Sequence, residues 1–248
     1  ANYYGDTGIS IVNPGGAEVD VEITFYADGG SPNADTVTQD VTVGANSSEV
    51  AFQGCGGNSR TAGLPGGTQS CGNPVPTNDG WYGVAKLTAT GGNILAVVND
   101  TTFGNGWATE AQSTYNCATA SDAGQTFALP LVRSFHLSGQ QLTTGIQIQN
   151  TSNAQVTVSL DLINWDGTSQ AASNPPDVVI PANGSGNYWN GSLSGLPTVP
   201  PEAGGYGWYG SAVLTATGGD VVVVVSDEGF GSTAVDSANY NALNIAAP

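Results

Sequence analysis

The chain contains two copies of one module, and this internal repeat limits the folds open to it. The sequence WYG at position 81 returns 127 positions later, at position 208, and both copies continue into an LTATGG sequence. Upstream, TGISIVN from Thr7 matches TGIQIQN from Thr144, at an offset of 137. A fixed period of this length is typical of duplicated structural units. The change of offset predicts an insertion of about ten residues in the first copy.

Both copies predict short antiparallel strands. Val19, Val21, Ile23 and Phe25 alternate with polar residues, and positions 156, 158, 160 and 162 repeat this alternation in the second copy. A period of two with one apolar face is typical of a sheet that covers a core on one side. With six to seven such strands per copy, we predict an all-β fold of two tandem Ig-like antiparallel β-sandwich domains. The predicted domains are residues 1–122 and 123–248, with a linker near residues 120–126.

Charge excludes two classes of partner. The chain has 3 Lys and Arg residues against 20 Asp and Glu, a formal net charge of −17. Nucleic acids and anionic membrane surfaces are bound through clustered basic side chains, so neither is an expected partner. The longest uninterrupted run of valines is residues 221–225, far short of the 18–20 apolar residues that span a bilayer.

The cysteines and the first residue favour a secreted protein. The chain begins with Ala1, as a protein does after signal-peptide cleavage. Cys55 and Cys71 flank a Gly-rich loop, and we predict a disulfide between them. Closing a loop of this length stabilises a fold by about 3 kcal/mol in the chain-entropy account. Cys117 is left either as a buried thiol or as an intermolecular bridge.

Catalytic and metal-binding patterns are weak. His136 is the one histidine, and no serine or cysteine lies in a nucleophile-elbow sequence. We therefore expect no enzyme activity and interpret His136 as a strand-end or linker residue. No cofactor is expected. Calcium is left open without assigned ligands, because Asp79, Asp227 and Glu228 are first interpreted as turn residues.

The tryptophans and the glycosylation sequons are secondary signals. Trp81 and Trp208 share one repeat position, which favours packing, whereas three others are not duplicated and are better candidates for exposed positions. These three are Trp107, Trp165 and Trp189. N-x-S/T sequons at positions 46, 99, 150, 183 and 190 leave glycosylation open.

From Pro130 to Gly167 the sequence carries an LPLV strand, then TGIQIQN, an alternating strand and an Asp-Gly turn, and later a GSAVLT hairpin. This pattern resembles Ig-like β-sandwich repeat domains of secreted bacterial surface proteins. The resemblance covers both copies, although the first lacks the LPLV strand and has the cysteine loop. It implies an extracellular architectural or adhesive domain without catalytic residues.

One strand between the copies leads to a hypothesis of assembly. Phe127, Leu129 and Leu131 alternate as one buried face, and in the family pattern this strand opens a module. Module one has no such strand before it, whereas Leu243, Ile245 and Ala247 repeat the alternation after module two. We expect the segment of residues 242–247 to complete module one of the next subunit, giving a head-to-tail filament of identical copies.

The alternative keeps every strand within its own chain. In that case the strand of residues 127–132 closes module one, and residues 243–247 close module two. The protein is then a monomeric cell-surface adhesin, a carbohydrate-binding module or a surface-layer component.

Overall fold

The computed structural model of the chain describes residues 5–27, 36–53, 83–102, 111–137, 141–189, 196, 206–229 and 237–245. These residues belong to two compact units, Ala1–Cys117 and Ala118–Pro248. The division falls five residues before the end predicted for the first domain. Cys55, Cys71, Trp81 and Trp107 lie outside the described residues, and so do the predicted disulfide and Asp79.

The described residues of the first unit form two antiparallel sheets. One has the strand order β4-β1-β6-β7 and the other β3-β2-β5. The strands are β1 (Gly5–Asn13), β2 (Val19–Ala27), β3 (Val37–Val43), β4 (Ser47–Gln53), β5 (Gly83–Thr90), β6 (Leu95–Thr102) and β7 (Ala111–Asn116).

The second unit contains the same sheets with additional strands. Its four-stranded sheet has the order β12-β9-β14-β15, and its five-stranded sheet has the order β11-β10-β13-β8-β16. The strands are β8 (Thr126–Ser134), β9 (Leu142–Asn150), β10 (Val156–Asn164), β11 (Val178–Ile180), β12 (Ser185–Tyr188), β13 (Trp208–Thr217), β14 (Val221–Gly229), β15 (Ser237–Asn241) and β16 (Leu243–Asn244). Two 3-10 segments accompany them, Ala120–Asp122 and Ala171–Ser173.

The strand registers of the two units correspond residue for residue. Ile23 faces Leu87 in the first unit, and Leu160 faces Leu214 at the corresponding position of the second. The all-β antiparallel sandwich prediction is confirmed. In each unit the buried apolar residues of both sheets form one cluster, as alternating strands require.

Each hairpin turn predicted from the repeat contains a glycine with a positive φ angle. Gly91 follows β5 and Gly218 follows β13, with φ angles of 95° and 98°. Residues with a Cβ rarely adopt this left-handed conformation, so glycine is needed at both turns.

In each sandwich a buried asparagine at the end of one strand, β1 or β9, donates hydrogen bonds to backbone carbonyls of other segments. The Asn150 side-chain amide donates to the carbonyls of Ala154, Ile180 and Pro181 at 2.6, 3.3 and 2.9 Å. Its Oδ1 accepts the Ser152 amide at 2.9 Å. The side chain is fully buried, so this sequon is not accessible to glycosylation in the folded chain.

Asn13 repeats this arrangement in the first unit. Its amide donates to the carbonyls of Ala17, Val43 and Gly44 at 2.7, 3.1 and 3.0 Å. One side chain therefore connects β1, the turn after it and the end of β3, which belong to different sheets.

Replacing Asn150 by alanine should destabilise the second unit by about 2–4 kcal/mol, because several buried polar groups lose their partner at once. Denaturant unfolding followed by tryptophan fluorescence measures the loss. Asn153→Ala is the matched control, since Asn153 is exposed on the same turn and should change stability by less than about 0.5 kcal/mol. Equal effects for the two variants would contradict this role of Asn150.

Candidate functional site: a sheet edge of the first unit

The strand between the repeats, β8, is an inner strand of the second unit. It pairs antiparallel with β13 on one side and with β16 on the other. Phe127 and Leu129 point into the core and are 1% and 0% exposed. A β-bulge opposite Ser211 then shifts the alternation, because two residues of β8 face one of β13. Val132 therefore takes the inward position, and Leu131, predicted on the buried face, is only half-buried.

Polar side chains hold the end of β8 beyond this bulge. The Tyr240 hydroxyl donates to the Leu131 carbonyl at 2.6 Å. Arg133 Nη1 lies 2.9 Å from Asp227 Oδ2, and the Thr144 hydroxyl donates to Asp227 Oδ1 at 3.1 Å. The Arg133 amide donates to the Thr144 hydroxyl at 2.8 Å. Charge-assisted contacts of this kind fix the register of a strand more firmly than apolar contacts do.

Burial changes the acid–base behaviour of Tyr240. It raises the pKa of the phenol to about 12, because the charged phenolate would lose its hydration. The hydroxyl therefore remains a donor to the Leu131 carbonyl at all ordinary pH values.

In the described residues, the corresponding sheet of the first unit ends at β5. β5 corresponds to β13 and pairs with β2 along one edge. Among the described residues, no strand pairs with its other edge. A free edge presents unpaired backbone N–H and C=O groups that can pair with an added strand.

The side chains beside this edge are more exposed than their counterparts. Ala212, Leu214, Ala216, Val221 and Val223 of the second unit are 2%, 0%, 3%, 0% and 3% exposed. The residues at the matching positions of the first unit are all only partly buried against its core. We call this set the acceptor groove: Ala85, Leu87, Ala89, Ile94 and Ala96.

The first unit also retains the polar residues that hold β8 in the second. Tyr115 faces Val98 across β6 and β7, as Tyr240 faces Val225 across β14 and β15. The Thr7 hydroxyl donates to Asp100 Oδ1 at 3.3 Å, which matches the Thr144–Asp227 contact. The acceptor groove is therefore bordered by the polar groups that bind a strand in the other unit.

The C-terminal segment makes a short edge contact with the second unit. Leu243 and Asn244 face Ala128 and Phe127 of β8, and the Ile245 amide donates to the Thr126 carbonyl at 2.9 Å. Leu243 is 59% exposed and Ile245 is 39% exposed. Ala247, the third predicted assembly residue, lies outside the described residues.

The remaining predicted site residues are dispersed. His136 follows β8 and bridges to Leu142, with its ring centroid 4.7 Å from that of Tyr209. The interpretation of Asp227 and Glu228 as turn residues is wrong, because both lie in β14. Asp227 is buried there, where its charge is compensated by Arg133. Within the residues described, no group of three His, Cys, Asp or Glu could hold a metal ion.

The described tryptophans and Cys117 have distinct environments. Trp208 is buried, as its repeat position predicts, and donates to Asn164 Oδ1 at 2.8 Å. Trp165 is 44% exposed, and Trp189 packs on Gly145, where a Cβ would clash with its ring. Cys117 is a free, partly buried thiol whose pKa is raised by burial.

Comparisons with known proteins add no relative. No model of a protein family matches the chain, and no curated protein matches it significantly. Over the described residues, no helix is long and apolar enough to cross a membrane.

The sequence did not predict the polar residues that hold β8. The repeat does show Tyr115-Asn116 and Tyr240-Asn241 at matching positions, which is the signal that could have identified the tyrosines. Arg133 lies outside the stretches in which the two copies align, so the repeat gives no signal for it.

If the acceptor groove is accessible in the free subunit, truncating Leu87 should cost far less than truncating Leu214. Leu214→Ala should destabilise its unit by about 3 kcal/mol, as expected for a buried leucine. Leu87→Ala should cost about 1 kcal/mol, because part of its side chain already contacts water. Denaturant unfolding of the unassembled chain measures both, and equal losses would show that Leu87 is covered.

Alkaline pH should weaken the second unit through Tyr240. The unfolded chain releases this proton near pH 10 and the folded chain near pH 12, so the unfolded state binds fewer protons in between. Stability is thus retained below pH 10 and lost as the pH rises towards 12. Tyr240→Phe should reduce this loss in unfolding free energies measured from pH 8 to 11.5. An unchanged pH dependence in the variant would contradict the assignment.

Proposed function

We propose that the protein is a structural subunit that assembles head-to-tail into an extracellular filament. In this proposal the C-terminal strand of one subunit adds to β5 in the first unit of the next. The role is architectural and needs no catalytic residue or cofactor. An extracellular location fits the predicted Cys55–Cys71 bridge, because disulfides persist in oxidising compartments.

The exposure of the acceptor groove is the observation that carries the proposal. The two units share strand registers, yet Leu87 is partly exposed where Leu214 is 0% exposed. In the second unit the neighbouring strand on that side is β8. A strand added along β5 would bury the same apolar positions and pair its backbone groups.

The C-terminal segment has the properties of a strand that can be donated. It holds β8 through two residue pairs, whereas β8 itself pairs with β13 from Thr126 to Ser134. Full burial of an exposed leucine or isoleucine contributes about 1.5–3 kcal/mol, of which Leu243 and Ile245, 59% and 39% exposed, would gain a part, and each new backbone hydrogen bond adds about 1 kcal/mol. Transfer to a neighbour therefore replaces a short edge contact by a longer buried one.

The contact would also be open-ended. Donor and acceptor are different surfaces, one from each unit of the chain, so the interface is heterologous. A heterologous interface that does not close into a ring propagates into a filament.

A monomeric surface adhesin is the second candidate. It is favoured by the pairing of Leu243 and Asn244 with β8 of their own unit, which leaves the C-terminal strand within its own sandwich. In that case removing this strand would destabilise the second unit and leave the state of association unchanged.

Charge placed in the donor strand should abolish assembly without unfolding the subunit. In the Leu243→Asp, Ile245→Asp variant, both substituted positions are exposed in the free chain, so its stability should change by less than about 1 kcal/mol. Insertion into the acceptor groove would bury two unpaired carboxylates, which is strongly unfavourable. Negative-stain electron microscopy and analytical ultracentrifugation measure the outcome. The matched control is Val179→Asp, at a position 56% exposed in the same unit, which should still form filaments.

Mixing two defective variants tests the direction of assembly. Leu87→Asp blocks the acceptor groove and leaves the C-terminal strand intact, whereas the double aspartate variant has the opposite defect. Neither should polymerise alone, and their mixture should form one-to-one dimers that grow no further. Filaments from the mixture, or no association at all, would contradict head-to-tail strand addition.

A further inference from the structure

Tyr115 carries a hydroxyl group beside the acceptor groove. Its ring packs against the core of the first unit. Within the part of the chain that the structure describes, no partner accepts its hydroxyl proton. Burial raises the pKa of this phenol, and the nearby Asp100 raises it further. The hydroxyl therefore stays protonated and available as a donor.

The second unit shows what this hydroxyl is placed to bind. Tyr240 occupies the matching position and donates to the main-chain carbonyl of Leu131, a residue of β8. The strand environments agree, because Tyr115 faces Val98 and Tyr240 faces Val225 at corresponding registers. The second residue after each tyrosine also matches, since the Cys117 amide donates to the Ala96 carbonyl and the Ala242 amide donates to the Val223 carbonyl.

Covering the Tyr115 hydroxyl without giving it a partner would have an energetic cost. Removing a polar group from water without a replacement hydrogen bond is unfavourable, and buried polar groups in native proteins are nearly always paired. A strand that covers this hydroxyl avoids that penalty only when it supplies a carbonyl at this point. A strand shifted by one residue presents a side chain of the opposite face and a displaced carbonyl.

We propose that Tyr115 is the register-determining residue of the acceptor groove: its hydroxyl donates to a main-chain carbonyl of the strand added by the next subunit. This inference rests on the proposed function and identifies the partner as a β-strand of a second copy recognised through its backbone. The apolar positions of the groove determine which side chains fit, and Tyr115 determines how far along β5 the strand is placed.

Tyr115→Phe tests the proposal, because it removes the hydroxyl and keeps the ring. In the free subunit this change should leave the stability equal or slightly higher, since no described residue accepts a hydrogen bond from the hydroxyl. In assembled material the variant should raise the critical concentration about five- to tenfold and speed subunit dissociation by a similar factor. Tyr26→Phe is the matched control in the same unit. Tyr26 alternates with the buried Phe25 on β2, and its substitution should change neither measurement.

Tyr240→Phe separates register determination from ordinary packing. Its hydroxyl is already bonded to Leu131, so this variant should lower the unfolding free energy of the free chain. Tyr115→Phe should show the opposite pattern, with assembly weakened and free-chain stability retained. A Tyr115→Phe variant that destabilises the free chain, or that assembles as the unmodified protein does, would overturn the proposal.

Peptide binding makes the test independent of filament formation. The Leu243→Asp, Ile245→Asp variant serves as receptor, so that its own C-terminal strand does not compete. A peptide of residues 241–248 and a β8 peptide of residues 125–135 are titrated into it, and into the same variant carrying Tyr115→Phe. Tyr115-dependent binding of either peptide supports the proposal, and preference for the β8 peptide would reject only the C-terminal strand as donor. Binding unaffected by Tyr115→Phe overturns the register proposal alone, whereas no binding and no filaments overturn the proposed function as well.

Discussion

The pairing of β8 with β13 is the contact on which the shape of the second sandwich depends. It places Phe127 and Leu129 over the core and brings Leu214 to 0% exposure. In the first unit, among the residues described, the same edge has no such neighbour and Leu87 stays partly exposed. The strand registers of the two units agree, so the described parts of the two sandwiches share one fold and differ in burial beside this edge. The second unit therefore serves as a template for how a strand pairs along this edge of the sandwich.

Polar side chains determine the register in which β8 pairs. A sandwich of alternating apolar residues tolerates a strand that is shifted along its length, since many registers bury similar area. Tyr240, Asp227 and Thr144 remove that freedom by binding the backbone and the side chains of β8 at fixed points. Asn13 at the end of β1 and Asn150 at the end of β9 also bind backbone groups at fixed points. In each case one side-chain amide donates to three carbonyls. Such groups are costly to bury unless every partner is present, so they specify one arrangement.

Much of this fold could be predicted from the sequence, and the reasons are local. Alternation from Val19 to Phe25 identified β2, and the Gly pairs identified the hairpins that the structure contains. The prediction failed at Leu131, because a bulge depends on how two strands meet and leaves no mark in hydrophobic alternation. It also failed at Asp227, where an acidic residue in a strand is stabilised by Arg133, a residue 94 positions away in the chain.

By itself the sequence determined the class of fold, the repeat and the candidate strands for assembly. These follow from periodicity, turn residues and composition, which act over a few neighbouring positions. The sequence placed the strand of residues 127–132 in the second domain and left the first as the alternative, and the tertiary structure decided for the second. Only the tertiary structure showed that Leu243 and Asn244 lie beside β8 and that the groove of the first unit is partly exposed. Strand neighbours and burial are properties of chain segments far apart in sequence, so no local pattern contains them.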